Sequence, residues 1–250
     1  NGNSNVAIGY QSLKQNTASL NVGIGANTLR DNTTGYANSA IGNDALRFNT
    51  TGYENAAWGV EALLNNNTGY RNMAIGQIAM QANTIGHRNI AVGGGALSEN
   101  VSGNFNACIG DATMILNTTG SFNTAVGPLA LHTNTSGDYN TAIGHYADVS
   151  SGNLTNATAI GNGTIVNSSN KIRLGNTSVT VVEGNASYTV SDGRFKTDLK
   201  QNVPGLDFIT RLQPVTYHFD YPAFSNFIGE RIVDRACLEI RKGKVEAGFV

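Results

Sequence analysis

The chain has 250 residues, 40% of them hydrophobic, with 16 basic and 17 acidic side chains. That near balance leaves no electrostatic footprint for nucleic acid or an anionic membrane surface, and no run of 18 apolar residues exists to span a bilayer. Abundant Asn, Thr and Gly would suit disorder, but disordered chains carry high net charge and lack a regular apolar pattern.

Here the pattern is strict. A five-residue phrase, seen at Asn38-Ser39-Ala40-Ile41-Gly42, closes on Gly9, Gly25, Gly42, Gly59, Gly76, Gly93, Gly110, Gly127, Gly144 and Gly161. The first step is 16 residues and every later one is 17, a period that marks a stacked repeat architecture. Charge density changes along the chain: 13 charged side chains fall in residues 1–170 and 20 in residues 171–250. The predicted organisation is a repeat solenoid over 1–165, a β neck over 166–190 and an ordinary mixed segment over 191–250. The chain opens in mid-repeat and stops in mid-pattern, so it reads as a piece of a longer protein.

Within each repeat, four positions are apolar or small: two before the phrase glycine, as Ala40 and Ile41, and two beyond it, as Ala45 and Leu46. Ala-Ile between Asn and Gly fits a short strand, with one side chain inward and a small neighbour where coils crowd. The Ala-Leu pair fits either a further strand or a single helical turn. Asn-Thr-Thr-Gly is turn chemistry, since Asn bonds its own backbone and Gly35, Gly52, Gly69 and Gly120 accept positive φ. The expected fold is mainly β, a parallel β-roll or β-solenoid of about ten 17-residue coils. So few apolar side chains must offset the ordering entropy of a whole coil. Several chains sharing one apolar axis would bury them more fully, which predicts an oligomer.

Other positions invite functional readings. An aromatic lies just after the loop glycine at Tyr36, Tyr53, Tyr70, Phe105, Phe122 and Tyr139, with His87 in the same series. It is either a stacked ladder covering the coil edge or a ligand-facing stripe for a sugar or receptor. Thr33-Thr34, Thr50-Thr51 and Thr118-Thr119 suggest an ice-binding face, but their slots vary to Val101, Asn67 and Ile85. Asn-x-Ser/Thr triplets at Asn32, Asn49, Asn117 and Asn185 match glycan acceptors as by-products of the repeat. Cys108 takes a slot that is Ala elsewhere, which reads as a small buried free thiol. No cofactor or metal is called for: Asp is too rare for a calcium-binding roll, and Cys108 and Cys237 lack ligand partners.

The phrase Asn-x-Ala-Ile-Gly followed by a small residue and Leu resembles the head repeats of trimeric autotransporter adhesins, and related repeats of phage and bacterial tail fibres. The resemblance implies a left-handed parallel β-roll assembled as a homotrimer, although the adhesin period is usually shorter than 17. Beyond it, Asn170-Lys171-Ile172-Arg173-Leu174-Gly175 repeats the phrase after a 14-residue step from Asn156 and Gly161. Val179-Thr180-Val181-Val182 and Ser187-Tyr188-Thr189-Val190 read as strands of a neck that caps the open end of the rod.

In Ser191-Asp192-Gly193-Arg194-Phe195-Lys196 a serine nucleophile and a lysine base lie five residues apart. A turn at Asp192-Gly193 brings them together, and an ordinary exposed loop is the alternative. The stretch, with Val203-Pro204-Gly205-Leu206-Asp207-Phe208-Ile209 and Leu212-Gln213-Pro214-Val215-Thr216-Tyr217, resembles the start of the endosialidase-type intramolecular chaperone of phage tail fibres and spikes. That resemblance implies that residues 191–250 assist trimerisation and then cut themselves away at Val190-Ser191, with Ser191 as nucleophile and Lys196 as base. The family's remaining helical part is missing here, which puts self-cleavage in question. Residues 203–212 read as an amphipathic helix, 215–219 as a strand, and His218 as a solvated strand residue.

The sequence therefore leads to the expectation of an extracellular fibre or adhesin. Its partners would be further copies of itself, a cell-surface glycan or protein receptor, and fibre or baseplate proteins on its N-terminal side. The competing expectation is an enzyme, either a serine-lysine autoprotease or a glycan-active spike. No carboxylate pair stands outside the repeat in residues 1–165 to serve a glycosidase.

Overall fold

The structure, a computed structural model, describes residues 2–182 and the strands Pro214–His218 and Val245–Phe249. The chain divides into two compact units, Asn1–Glu183 and Gly184–Val250. Among the described residues there is no helix.

The first unit is a β-solenoid. Eleven parallel strands of three residues each, from Val6–Ile8 to Ile172–Leu174, form one sheet in sequence order. Each coil lays its phrase beside the next in strict register: Ala40 pairs with Ala57, Ala57 with Ala74 and Ala74 with Ala91. At a strand spacing of about 4.8 Å, ten steps give a sheet roughly 48 Å long. The 14-residue step near the end brings Ile172–Leu174 alongside Thr158–Ile160 as the last strand. A second, two-stranded sheet pairs Asp148–Val149 with Ile165–Val166.

The small residue of each strand faces inward. Ala40, Ala57, Ala74, Ala91, Cys108, Ala125 and Ala142 are fully buried, and the Ile, Val or Trp that follows each lies on the outer face. The interior is completed by the Ala-Leu pairs, of which Leu29, Leu46, Leu63, Met80, Leu97, Met114 and Leu131 are the large members. With only one long apolar side chain per coil, the opposite wall must come close, and Ala is what fits there.

The Ala-Leu stretch is neither strand nor helical turn. Asp44 and Leu46 take positive φ of 57° and 50°, and the same two places in other coils repeat this. As a result Asp44 N–H donates to Ala26 of the preceding coil (2.9 Å), while Leu46 N–H donates to Ala62 of the following one (3.0 Å). The turns thereby pair with both neighbours as a strand would. A left-handed Leu costs about 1–2 kcal/mol, and its complete burial offsets this by about 1.5–3 kcal/mol.

Amides fill the rest of the interior. The loop asparagines Asn32, Asn49, Asn66, Asn83, Asn100, Asn117 and Asn134 are fully buried. Each donates to its predecessor's carbonyl oxygen, as Asn49 Nδ2 to Asn32 Oδ1 (2.7 Å), and to its own loop glycine, as Asn49 Nδ2 to Gly52 O (2.9 Å). The phrase asparagine approaches the same carbonyl from the other side: Asn38 Nδ2 donates to Gly52 O at 2.9 Å. Two asparagine ladders thus share one column of glycine carbonyls.

Glycine is required where coils touch. Gly42 has φ +126°, and a Cβ there would lie 2.6 Å from Gly59 O of the next coil.

Val179–Val182 does not form the expected strand; these residues are exposed and no neighbouring strand pairs with them. A strand needs a partner ladder, and the sheet ends at Leu174. In the second unit Pro214–His218 pairs antiparallel with Val245–Phe249, Pro214 opposite Phe249 and His218 opposite Val245. The expected helix over 203–212 and strand over 187–190 lie outside the described residues.

Candidate functional site

Because alanine turns inward, the outer face of the long sheet carries the bulky residues. One column runs Ile24, Ile41, Trp58, Ile75, Val92, Ile109, Val126, Ile143, Ile160 and Leu174, each paired in register with the next. Ile8 is 59% exposed, Ile109 49% and Trp58 44%. A second column two residues earlier holds Val6, Met73 and Ile90, all exposed, and changes to Thr124, Thr141 and Thr158 further on. Scattered exposed apolar residues are ordinary, whereas an uninterrupted apolar column marks an interaction surface. The small-then-large pair that closes each repeat phrase, as Ala40-Ile41, is the sequence signal for this face.

The aromatic series is two ladders. Tyr36, Tyr53, Tyr70 and His87 stack with centroids 4.6–5.0 Å apart and planes within 7°. Phe105, Phe122 and Tyr139 form a second stack at 5.0 Å. Between them His87 meets Phe105 edge-on, at 74° and 5.6 Å. The break arises because the later aromatics sit two residues after the loop glycine instead of one. Parallel rings this close lie offset face to face, since coplanar rings would collide at their edges. Their faces are therefore turned to one another, and what reaches solvent is the ring rim. This geometry favours the packing ladder over a sugar-stacking stripe.

The hydroxyls of Thr33, Thr84 and Thr118 donate to carbonyls of the next coil, those of Thr50, Val101 and Thr135. These three hydroxyls are engaged within the rod. Asn32, Asn49 and Asn117 are buried in the amide ladder, which removes them as glycan acceptors in the folded chain; Asn185 lies outside the described residues. So do Ser191 and Lys196.

The ion pairs among the described residues all lie between residues 30 and 71. Asp31 accepts from Arg30 Nε and Nη2 at 2.8 and 2.7 Å, and this bidentate contact holds its carboxyl below the usual range. Arg47 pairs with Asp44 at 3.1 Å, and Arg71 with Glu54 at 2.7 Å. Phe48 lies beneath two guanidiniums, Arg47 at 4.9 Å and Arg30 at 5.7 Å from its ring centre. Cys108 is fully buried with Sγ 3.2 Å from Met114 Sδ, and loss of solvent pushes its thiol pKa well up. Asp148 interrupts the leucine column; burial raises its pKa, although Thr133 Oγ1 (2.7 Å) and Val149 N–H (2.8 Å) donate to it.

Comparison with protein-family models, with curated proteins and with solved structures finds no match.

Proposed function

We propose that this chain is a fibre protein, of a phage tail, an injection apparatus or a bacterial surface, acting outside the cell as a receptor-binding rod. The observation that carries this is the outer apolar column, ten register steps from Ile8 to Leu174 without a polar break. A monomer in water would leave it wet, and a second and third copy of the same rod would cover it. Resemblance to adhesin heads favours three-fold assembly. The column is nearly uniform, so one rod can slip a coil past another at little cost. A terminal module that trimerises first removes that ambiguity, which is the role proposed for residues 191–250.

Self-cleavage is proposed as the final step of that module. Ser191 Oγ attacks the carbonyl carbon of Val190 while Lys196 takes the hydroxyl proton, which it returns to the Ser191 nitrogen as the C–N bond breaks. The acyl group passes from nitrogen to oxygen, and water hydrolyses the ester to a Val190 carboxylate and a free Ser191 amine.

Sedimentation equilibrium tests the assembly. The wild type is expected as a trimer, and Ile75→Lys with Ile109→Lys as a monomer of unchanged circular dichroism; Trp58 emission reports burial of the face. A wild type that sediments as a monomer at micromolar concentration overturns the proposal. Mass spectrometry of the wild type, Ser191→Ala and Lys196→Ala tests cleavage. An intact wild-type chain rejects it.

A further inference from the structure

One groove of the rod lies beside an aromatic ring that belongs to neither ladder. It runs along the axis between two adjacent columns, Asp31, Phe48, Asn65 and Ala82 on one side and Thr50, Asn67 and Thr84 on the other, and is an open groove of about 520 Å³. That volume lies within the roughly 300–1,000 Å³ of small-molecule sites. We infer that this groove binds a neutral hexose oligosaccharide. The inference rests on the reading of the rod as an attachment surface and names the ligand class and place.

Phe48 is an aromatic whose column neighbours, Asp31 and Asn65, are not rings, so it escapes the mutual stacking of the Tyr and Phe ladders. Arg47 and Arg30 hold its position from above. Both guanidiniums are themselves paired to carboxylates, Asp44 and Asp31, so the groove offers no unpaired cation to an acidic sugar. The chain steps from Phe48 through Asn65 to Ala82, and the shrinking side chains open a floor beside the ring. Asn65 and Asn67 are exposed amides, and the Thr50 and Thr84 hydroxyls beside them, which donate to Asn67 and to Val101 O, keep lone pairs that can accept from a ligand. A flat apolar ring beside a line of planar amides and hydroxyls suits a pyranose, which has an apolar C–H face and an equatorial rim of hydroxyls. The polar groups repeat at the coil step of about 4.8 Å, on the order of the length of one hexose unit, so a chain of sugars lies along the groove in register. A peptide would meet no open strand edge there.

The test uses the full chain on an array of cello-, malto- and manno-oligosaccharides beside sialylated glycans, followed by calorimetric titration of the strongest neutral binder. Phe48→Ala removes the ring, and Ala82→Leu fills the floor. Each is expected to weaken binding about tenfold or more, while Leu116→Ala, in the same column four coils on, leaves it unchanged. Binding of no neutral glycan, equal binding by both variants, or a preference for sialylated glycans overturns the assignment. Sedimentation and cell adhesion separate this from the fibre reading. A trimer that adheres yet ignores the array leaves the fibre and removes the groove. A monomer that binds sugar through Phe48 does the reverse.

Discussion

Asn65, Asn66 and Asn67 are three identical neighbours, and the structure assigns them unequal weight. Asn66 is fully buried, whereas Asn65 and Asn67 are exposed. Asn66 Nδ2 donates to Asn49 Oδ1 (2.7 Å) and Gly69 O (2.9 Å), and its Oδ1 accepts from Asn83 Nδ2 (2.7 Å). Asn66→Ala removes all three bonds, worth about 1 kcal/mol each, and strands Asn49 Oδ1 without a donor at about 1–2 kcal/mol more. Gly69 O keeps Asn55 Nδ2, and Asn83 Nδ2 keeps Gly86 O, so neither adds to the loss. The expected cost is about 4–5 kcal/mol, against about 0.5 kcal/mol or less for Asn65→Ala. Asn66→Asp should be worse at neutral pH, since a buried carboxylate there would face two acceptors. Its pKa would be raised, so stability should recover as pH falls through it. Urea unfolding followed by circular dichroism, at neutral and acid pH, measures these differences. An Asn66→Ala chain as stable as Asn65→Ala would refute the ladder as a source of stability.

Gly42→Ala places a Cβ 2.6 Å from the next coil's carbonyl at φ +126°, and thermal melts should show a loss of about 3 kcal/mol or more. Gly95→Ala should cost only the left-handed penalty of about 1–2 kcal/mol, because Gly95 has φ +63° and its nearest prospective contact is 3.8 Å away. Asp148 has a folded pKa raised above its ordinary value of 3.8. The folded state therefore binds the proton more tightly, and stability present below that value is lost as pH rises through the folded pKa. Asp148→Asn should flatten this pH dependence in unfolding experiments run from acid to neutral pH. In a Cys237→Ser background, the buried Cys108 thiol should resist alkylation until denaturant is added, as read by mass spectrometry; rapid native labelling would contradict its burial.

Periodicity alone determined the solenoid, its 17-residue coil and the 14-residue step at its end, because stacked backbones that share one register demand the same residue type at the same place in every coil. The buried Cys108 was legible for that reason; the loop glycines Gly35, Gly52, Gly69 and Gly120 were misread, since none takes the positive φ expected of it and each is required by the close approach of the next coil's carbonyl. Repetition does not say which way a column points. Only the folded coil decided that Ala40 faces in and Ile41 out, since this depends on how closely the opposite wall approaches. It also decided that Leu46 takes a left-handed turn, that one aromatic series is two, and that Asn66 carries weight where Asn65 does not. Those outcomes belong to contacts between coils, where each side chain meets neighbours 17 residues away, and no local stretch of sequence contains them.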